Sequence, residues 1–194
     1  MNCSLKGDDM HELYFSVDIE TTGGVPGKYS MFEIGIAAVN FPDYSASFPV
    51  ELLNDNYDEN ALRATQQTVE GLRARERQMT PVAAMEALAA FVERSAAFHG
   101  KKPIFVGNNA PFDWMFIAWY FETFDVHNPF GHSALDMKAY FAGMTSCTWS
   151  HASLTRMAQV AGIEFSGLPH EAEADAIIQA NIFAKLLLLN RRSL

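Results

Sequence analysis

The stretch Leu13–Gly24, LYFSVDIETTGG, constrains this chain more than any other. It opens as a run rich in aromatic and aliphatic residues, sets Asp18 and Glu20 two positions apart, and closes on Thr-Thr-Gly-Gly. Alternate side chains of a strand share a face, so in an extended chain Asp18 and Glu20 point the same way. Two like charges at the end of an apolar strand are costly unless a cation sits between them. Oxygen-rich carboxylate sites suit Mg²⁺ or Mn²⁺. Two solvated carboxylates at a strand end account for the pair equally well, so the rest of the chain has to decide.

At 194 residues the chain is long enough for one domain with a sizeable core. The expected organisation is a flexible N-terminal tail over residues 1–12 and a single domain over 13–194. No apolar run reaches the length of a membrane span, and the polar start MNCSLKGDDMHE lacks a secretory pattern, so no membrane partner is expected. Cys3 and Cys147 are too few for a disulfide framework; read as reduced thiols, they place the protein in the cytoplasm. The net charge of −9 argues against a protein that grips long duplex. It argues less against one that draws a short single-stranded end into a metal site, where bound cations supply the positive charge. Arg63, Arg73, Arg75, Arg77, Arg94, Lys101 and Lys102 are half of the 14 basic residues and read mostly as solvated helix faces.

Strands over Leu13–Ile19, Met31–Val39 and Ala46–Val50 make an antiparallel meander. A helix is expected over Ala61–Arg77. A second starts at the N-cap Thr80, with Pro81 at its first position, and stops at Gly100. Pro103–Val106 is a short apolar strand. Helices then cover Pro111–Phe124, Ser150–Gly162 and Glu171–Arg192, with a short strand or turn and another helix over Ser133–Gly143. The last helix, apolar on nearly all sides, is expected to be well buried. A meander followed by alternating strands and helices predicts an α/β fold, a mixed sheet with helices on both faces.

Two further places can carry chemistry. Asp113, in GNNAPFDWMF, falls in the first turn of a helix just past a buried strand, the edge where α/β sheets place ligands. In His170-Glu171-Ala172-Glu173-Ala174-Asp175, five residues correspond to about 140° of helical rotation, so the two ends face apart if both are helical. Pro169 instead puts His170 on the entering loop and Asp175 on the helix. Asp18, Glu20, Asp113 and Asp175 with one imidazole suit phosphodiester hydrolysis by two ions about 3.5–4 Å apart, His170 serving as general base. Phe112, Trp114 and Phe116 could stack on bases, although at least two of them read as core. Asp136 reads as a helix N-terminal aspartate. His11, His99, His127, His132 and His151 read as structural or surface residues.

Asp18-Ile19-Glu20-Thr21-Thr22-Gly23, Asn109-Ala110-Pro111-Phe112-Asp113 and His170-x4-Asp175, in that order, resemble the three motifs of the DEDDh 3′–5′ exonucleases. That family includes ribonuclease T, oligoribonuclease and the proofreading subunit of the bacterial replicative polymerase. The resemblance implies an RNase H-like fold with a five-stranded mixed sheet. It implies two Mg²⁺ or Mn²⁺ ions: Asp18 bridging both, Glu20 and Asp175 holding the first, Asp113 helping to hold the second, and His170 as base. Substrate contacts are expected from Thr21, Thr22, Gly23, Asn109 and Phe112. The implied activity removes nucleoside 5′-monophosphates from single-stranded RNA or DNA 3′ ends, RNA slightly favoured, and a homodimer is consistent with the resemblance. Two departures, Asn108 where many relatives have His and Gly24-Val25 where many have Leu or Met, bear on base contacts rather than on metal chemistry. Competing readings are an RNase H-type endonuclease of the same fold and a catalytically silent nucleic-acid-binding module.

Overall fold

The structure, a computed structural model, describes residues 11–192. Most of the expected tail, with Cys3, lies outside the described residues, and Glu12 already belongs to the first strand. Strand β1 (Glu12–Thr21) alternates as its sequence demands. Leu13, Phe15, Val17 and Ile19 enter one core, whereas Tyr14 packs against the core on the opposite face. Asp18 and Glu20 share Tyr14's parity and point with it.

Strands β2 (Met31–Ala38) and β3 (Phe41–Pro49) continue antiparallel from β1. Strands β4 (Lys102–Gly107) and β5 (Ala134–Asp136) add in parallel on its other side, giving one five-stranded mixed sheet in the order β3-β2-β1-β4-β5. Helices α3 (Pro81–His99) and α4 (Pro111–Thr123) cover one face through Met85, Leu88, Val92, Phe116 and Ile117. Helices α5 (Met137–Thr145), α6 (Leu154–Ala161) and α7 (Ala172–Arg192) cover the other through Phe141, Met157, Phe183 and Leu186. The fold is therefore RNase H-like, with the helices on both faces that the element order predicts.

Pairing between β1 and β4 ends at Ser16 and Val106, yet β1 runs on to Thr21 paired only with β2. One edge of β1 is thus freed at the carboxyl end of β4, and the crevice that opens there receives the first turns of α4 and α7. Gly35, opposite Asp18 in the β1–β2 register, lets α7 come down onto the sheet. A Cβ at Gly35 would lie 2.0 Å from the Ala172 carbonyl carbon.

Three expected elements differ. The helix expected over Ala61–Arg77 is broken into α1 (Glu59–Thr65) and α2 (Val69–Arg73). Gln66 takes a left-handed conformation that ends α1, and Thr68 accepts from the Gly71 N–H to start α2. In one continuous helix Leu62 and Leu72 would diverge by about 80°; the break buries both against Phe32 and Leu52. The helix expected over Ser150–Gly162 starts late, because a 3₁₀ turn (Trp149–His151) comes first and Ser153 caps α6 by accepting from the Arg156 N–H. Helix α7 is not enclosed all round: Asn181, Lys185 and Leu188 form an exposed stripe at i, i+4 and i+7. No helix among the described residues is long and apolar enough to cross a membrane.

Candidate active site

Asp18 and Glu20 enter the crevice from β1, Asp113 from the first turn of α4, His170 from the bend before α7 and Asp175 from its first turn. All five line one cavity of about 200 Å³, together with Ile19, Asn108, Asn109, Phe112, Leu168 and Gln179. Ligand atoms of Glu20, His170 and Asp175 lie within 4.8 Å of one another. Glu20, Asp113 and Asp175 are buried, with relative exposures of 8%, 6% and 1%, and Asp18 is half-buried, which weighs against freely solvated acids. The imidazole is exposed, on the loop as Pro169 implied.

Local chemistry explains each placement. Helix α4 begins without a side-chain cap of its own. Asp136 supplies one from β5: its Oδ2 accepts from the Ala110 N–H at 2.7 Å while its Oδ1 caps α5 through the Ala139 N–H. The Asp136 carboxylate is thus a helix N-terminal acid twice over, and it holds the turn that aims Asp113. The Ile19 N–H, freed where β1 outruns β4, hydrogen-bonds the Asp113 carboxylate. Asn109 and His170, both lining the cavity, have positive φ of 65° and 60°. Such conformations are costly for residues with a side chain and cluster where function fixes geometry.

The electrostatics are those of crowded negative charge. Burial, then the Asp175 charge, pushes Asp18 up to about 7, despite the hydrogen bond it accepts from Gln179. Burial, then Asp18, raises Glu20 to about 8. Asp113 is driven well above the carboxylate range by burial and then Asp18. Burial lifts Asp175 to about 6 against the pull of His170. Its Oδ1 is buried and has no hydrogen-bond partner among the described residues. Four acids raised together, one with an orphaned oxygen, are a donor set that hard divalent ions complete.

The remaining predicted contacts fall into two groups. Asn109 and Phe112 line the cavity, and Phe116 is core while Trp114 packs against Phe105. Thr21, Thr22 and Gly23 lie just beyond. The Thr21 hydroxyl donates to the Gly23 carbonyl, and the Thr22 hydroxyl donates to the Asn56 carbonyl while accepting from the Ser30 N–H. Tyr29 covers Gly23 so closely that a Cβ would meet its ring at 2.5 Å.

Sequence reasoning passed over three residues. Glu33 sits opposite Glu20 across β1 and β2, held by the Ser47 hydroxyl at 2.9 Å and by Arg75 at 3.5 Å. An acid inside the apolar run MFEIGIAAV was its signal. Gly35, in the same run, was signalled by a glycine inside a strand, which marks close backbone approach. Gln179 carried no signal beyond its place one turn after Asp175.

A model of the RNase T exonuclease family matches residues 15–183. The chain belongs to the DEDDh 3′–5′ exonuclease family. It is 34% identical to the 3′-5′ DNA exonuclease Cap18 of Escherichia coli over 89% of this chain and 90% of that protein. It is 28% identical to ribonuclease T of Hahella chejuensis over 88% of this chain and 81% of that protein. The nuclease domain of 3′hExo, a DEDDh member bound to rAMP, superposes with a TM-score of 0.73 at 15% identity, covering 93% of this chain and 94% of that one. Escherichia coli exonuclease I in complex with a dT13 oligonucleotide gives 0.68 at 18% identity, over 94% of this chain and 42% of that one. Like other DEDDh exonucleases this protein is a hydrolytic nuclease, and the family implies divalent metal ions.

Proposed function

We propose that this cavity hydrolyses the terminal phosphodiester at single-stranded nucleic-acid 3′ ends, releasing nucleoside 5′-monophosphates. Asp18, Glu20, Asp113 and Asp175 would hold two divalent ions, Mg²⁺ or Mn²⁺. The observation that carries this reading is the meeting of four raised carboxylates, three of them buried, with one imidazole in a single crevice. When bound, the ions would supply the positive charge that offsets the negative charge developing on the phosphate and leaving-group oxygens.

The chain's own residues do the rest. Burial of Glu20, Asp113 and Asp175 limits screening by water, so these acids would act as strong ligands in a low-dielectric site. His170 reaches the cavity from an exposed bend, free to accept the proton of the attacking water at a ring nitrogen and pass it to solvent. Asn109 and Phe112 line the same cavity and would meet the terminal nucleotide, Phe112 by stacking on a base. The hydroxyls of Thr21 and Thr22 donate within the protein, so these two side chains are not free to donate to a substrate. A larger cavity of about 880 Å³ shares His170 and is lined by Gln66, Gln67 and Arg75, leaving room for the nucleotide beyond the reacting bond.

Resemblance of motifs leans towards RNA, whereas the 34%-identical relative is named a DNA exonuclease and weighs towards DNA. End-labelled RNA and DNA of one sequence, incubated with Mn²⁺, decide between them. Stepwise shortening from the 3′ end with mononucleotide products is expected, and a covalently closed single-stranded circle should resist. Cleavage of that circle would favour the RNase H-type endonuclease instead. Asp18→Ala should abolish hydrolysis; normal turnover in that variant refutes the ligand assignment, and an inert wild-type protein that still binds the strand would support the silent binding module.

A further inference from the structure

We infer that Gln179 is a positioning residue of this site, a clip that holds the three chain segments bearing the carboxylates in one register; the inference rests on the reading of those carboxylates as metal ligands. Gln179 follows Asp175 by one helical turn, so the two project from the same face of α7. Its side chain is 1% exposed and both ends of its amide are used. Nε2 donates to Asp18 Oδ1 at 2.7 Å, and Oε1 accepts from the Asn108 N–H at 3.0 Å.

The orientation of the amide is not arbitrary. The Asn108 backbone N–H can only donate, so the amide oxygen must face it and the amide nitrogen is left to donate to Asp18. Through this one side chain α7, which carries Asp175, is joined to β1, which carries Asp18 and Glu20. It is joined as well to the turn that leads into α4 and Asp113. β1 shares one core with α4 and packs through Tyr14 against the other, which holds α7, and Gln179 links all three segments beside the reacting centre.

The choice of side chain matters as much as its reach. A lysine here would place a permanent cation against Asp18 and compete with a divalent ion for its charge. A neutral amide orients the carboxylate and leaves that charge in place. Partners that orient ligands in this way commonly change metal affinity or activity by about 10- to 100-fold when lost.

The test uses the full-length protein with Mn²⁺ as the probe, and compares Gln179→Leu, Gln179→Glu and Asp18→Ala. Leucine removes both hydrogen bonds. Glutamate keeps the acceptor for Asn108 but faces Asp18 with a second carboxylate. Mn²⁺ binding is read by calorimetry, folding by circular dichroism and melting, and hydrolysis on end-labelled single-stranded DNA and RNA. Gln179→Leu is expected to bind Mn²⁺ about 10- to 100-fold more weakly with a wild-type spectrum. Gln179→Glu is expected to be at least about tenfold slower at saturating Mn²⁺ although its contact to Asn108 survives. Wild-type Mn²⁺ affinity in Gln179→Leu with only a lower melting temperature would make Gln179 merely structural and overturn the inference, as would a wild-type rate in Gln179→Glu. The second variant carries the test if the first does not fold. Unaltered Mn²⁺ binding by Asp18→Ala would instead remove the metal site itself, and the inference with it.

Discussion

His170 combines an exposed ring, a strained backbone with φ of 60°, and ligand atoms within 4.8 Å of those of Glu20 and Asp175. A histidine kept for packing would be buried, and one kept for charge alone would not need a left-handed backbone. Replacing it with Ala should slow hydrolysis by roughly 10²- to 10⁴-fold, the range for loss of a general base. Mn²⁺ binding measured by calorimetry should stay within a few-fold, because the four carboxylates remain. An unchanged rate would move the base to another group. Thr22 shows the converse. Its motif position suggests substrate, yet its hydroxyl is spent on Asn56 and Ser30, so Thr22→Val should act mainly on stability by unpairing the Ser30 N–H.

At the scale of elements, the site exists because two helix starts are brought to one strand end. For α7 the device is Gly35, whose missing side chain is the space that the Ala172 backbone fills. Gly35→Ala should lift α7 and its Asp175 away from β1, costing about 1–3 kcal/mol as overpacked substitutions do. In a chain of this size that corresponds to a fall of roughly 2–12 °C in melting temperature, with hydrolysis reduced in step. Gly143, inside α5, has open space among the described residues where a methyl group would sit, and makes the opposite prediction. Gly143→Ala should stabilise the fold by about 0.5–1 kcal/mol through the unfolded chain's lost entropy, raise the melting temperature by roughly 1–4 °C and leave activity alone. For α4 the device is Asp136, which supplies from β5 the cap that Ala110 lacks.

At the scale of the whole molecule, the carboxylates make stability depend on pH and on metal together. Asp18, Glu20 and Asp175 stand at about 7, 8 and 6 in the fold. In the unfolded chain such groups titrate near 4. Between those limits the folded state holds more protons than the unfolded one, so stability falls as pH rises. This contribution is fully present below about pH 4 and is lost as pH climbs through 6 to 8. Melting temperatures in a chelator should therefore decline over that window, and the decline should shrink in Asp18→Asn. Millimolar Mg²⁺ or Mn²⁺, binding the folded state, should raise the melting temperature most at the alkaline end. A metal-independent melting curve at pH 8 would contradict a preformed site.

Periodicity and punctuation in the chain were enough for the class of fold. Two-residue alternation in Leu13–Ile19 dictated which face Asp18 and Glu20 share, and Thr80, Pro81 and Gly100 marked the ends of α3. Such signals are local: they depend on residues within a turn or two of each other. The order of the three short motifs likewise pointed to the family before any geometry was in view. The break between α1 and α2 was hidden, because the need to bury Leu62 and Leu72 together arises only when Phe32 lies beneath them. Gly35, Asp136 and Gln179 act on Ala172, Ala110 and Asp18, partners that lie 26 or more residues away along the chain. Contacts across such separations leave no periodic trace, so only the packed chain shows that a missing methyl, a shared cap and one amide bring the acids together.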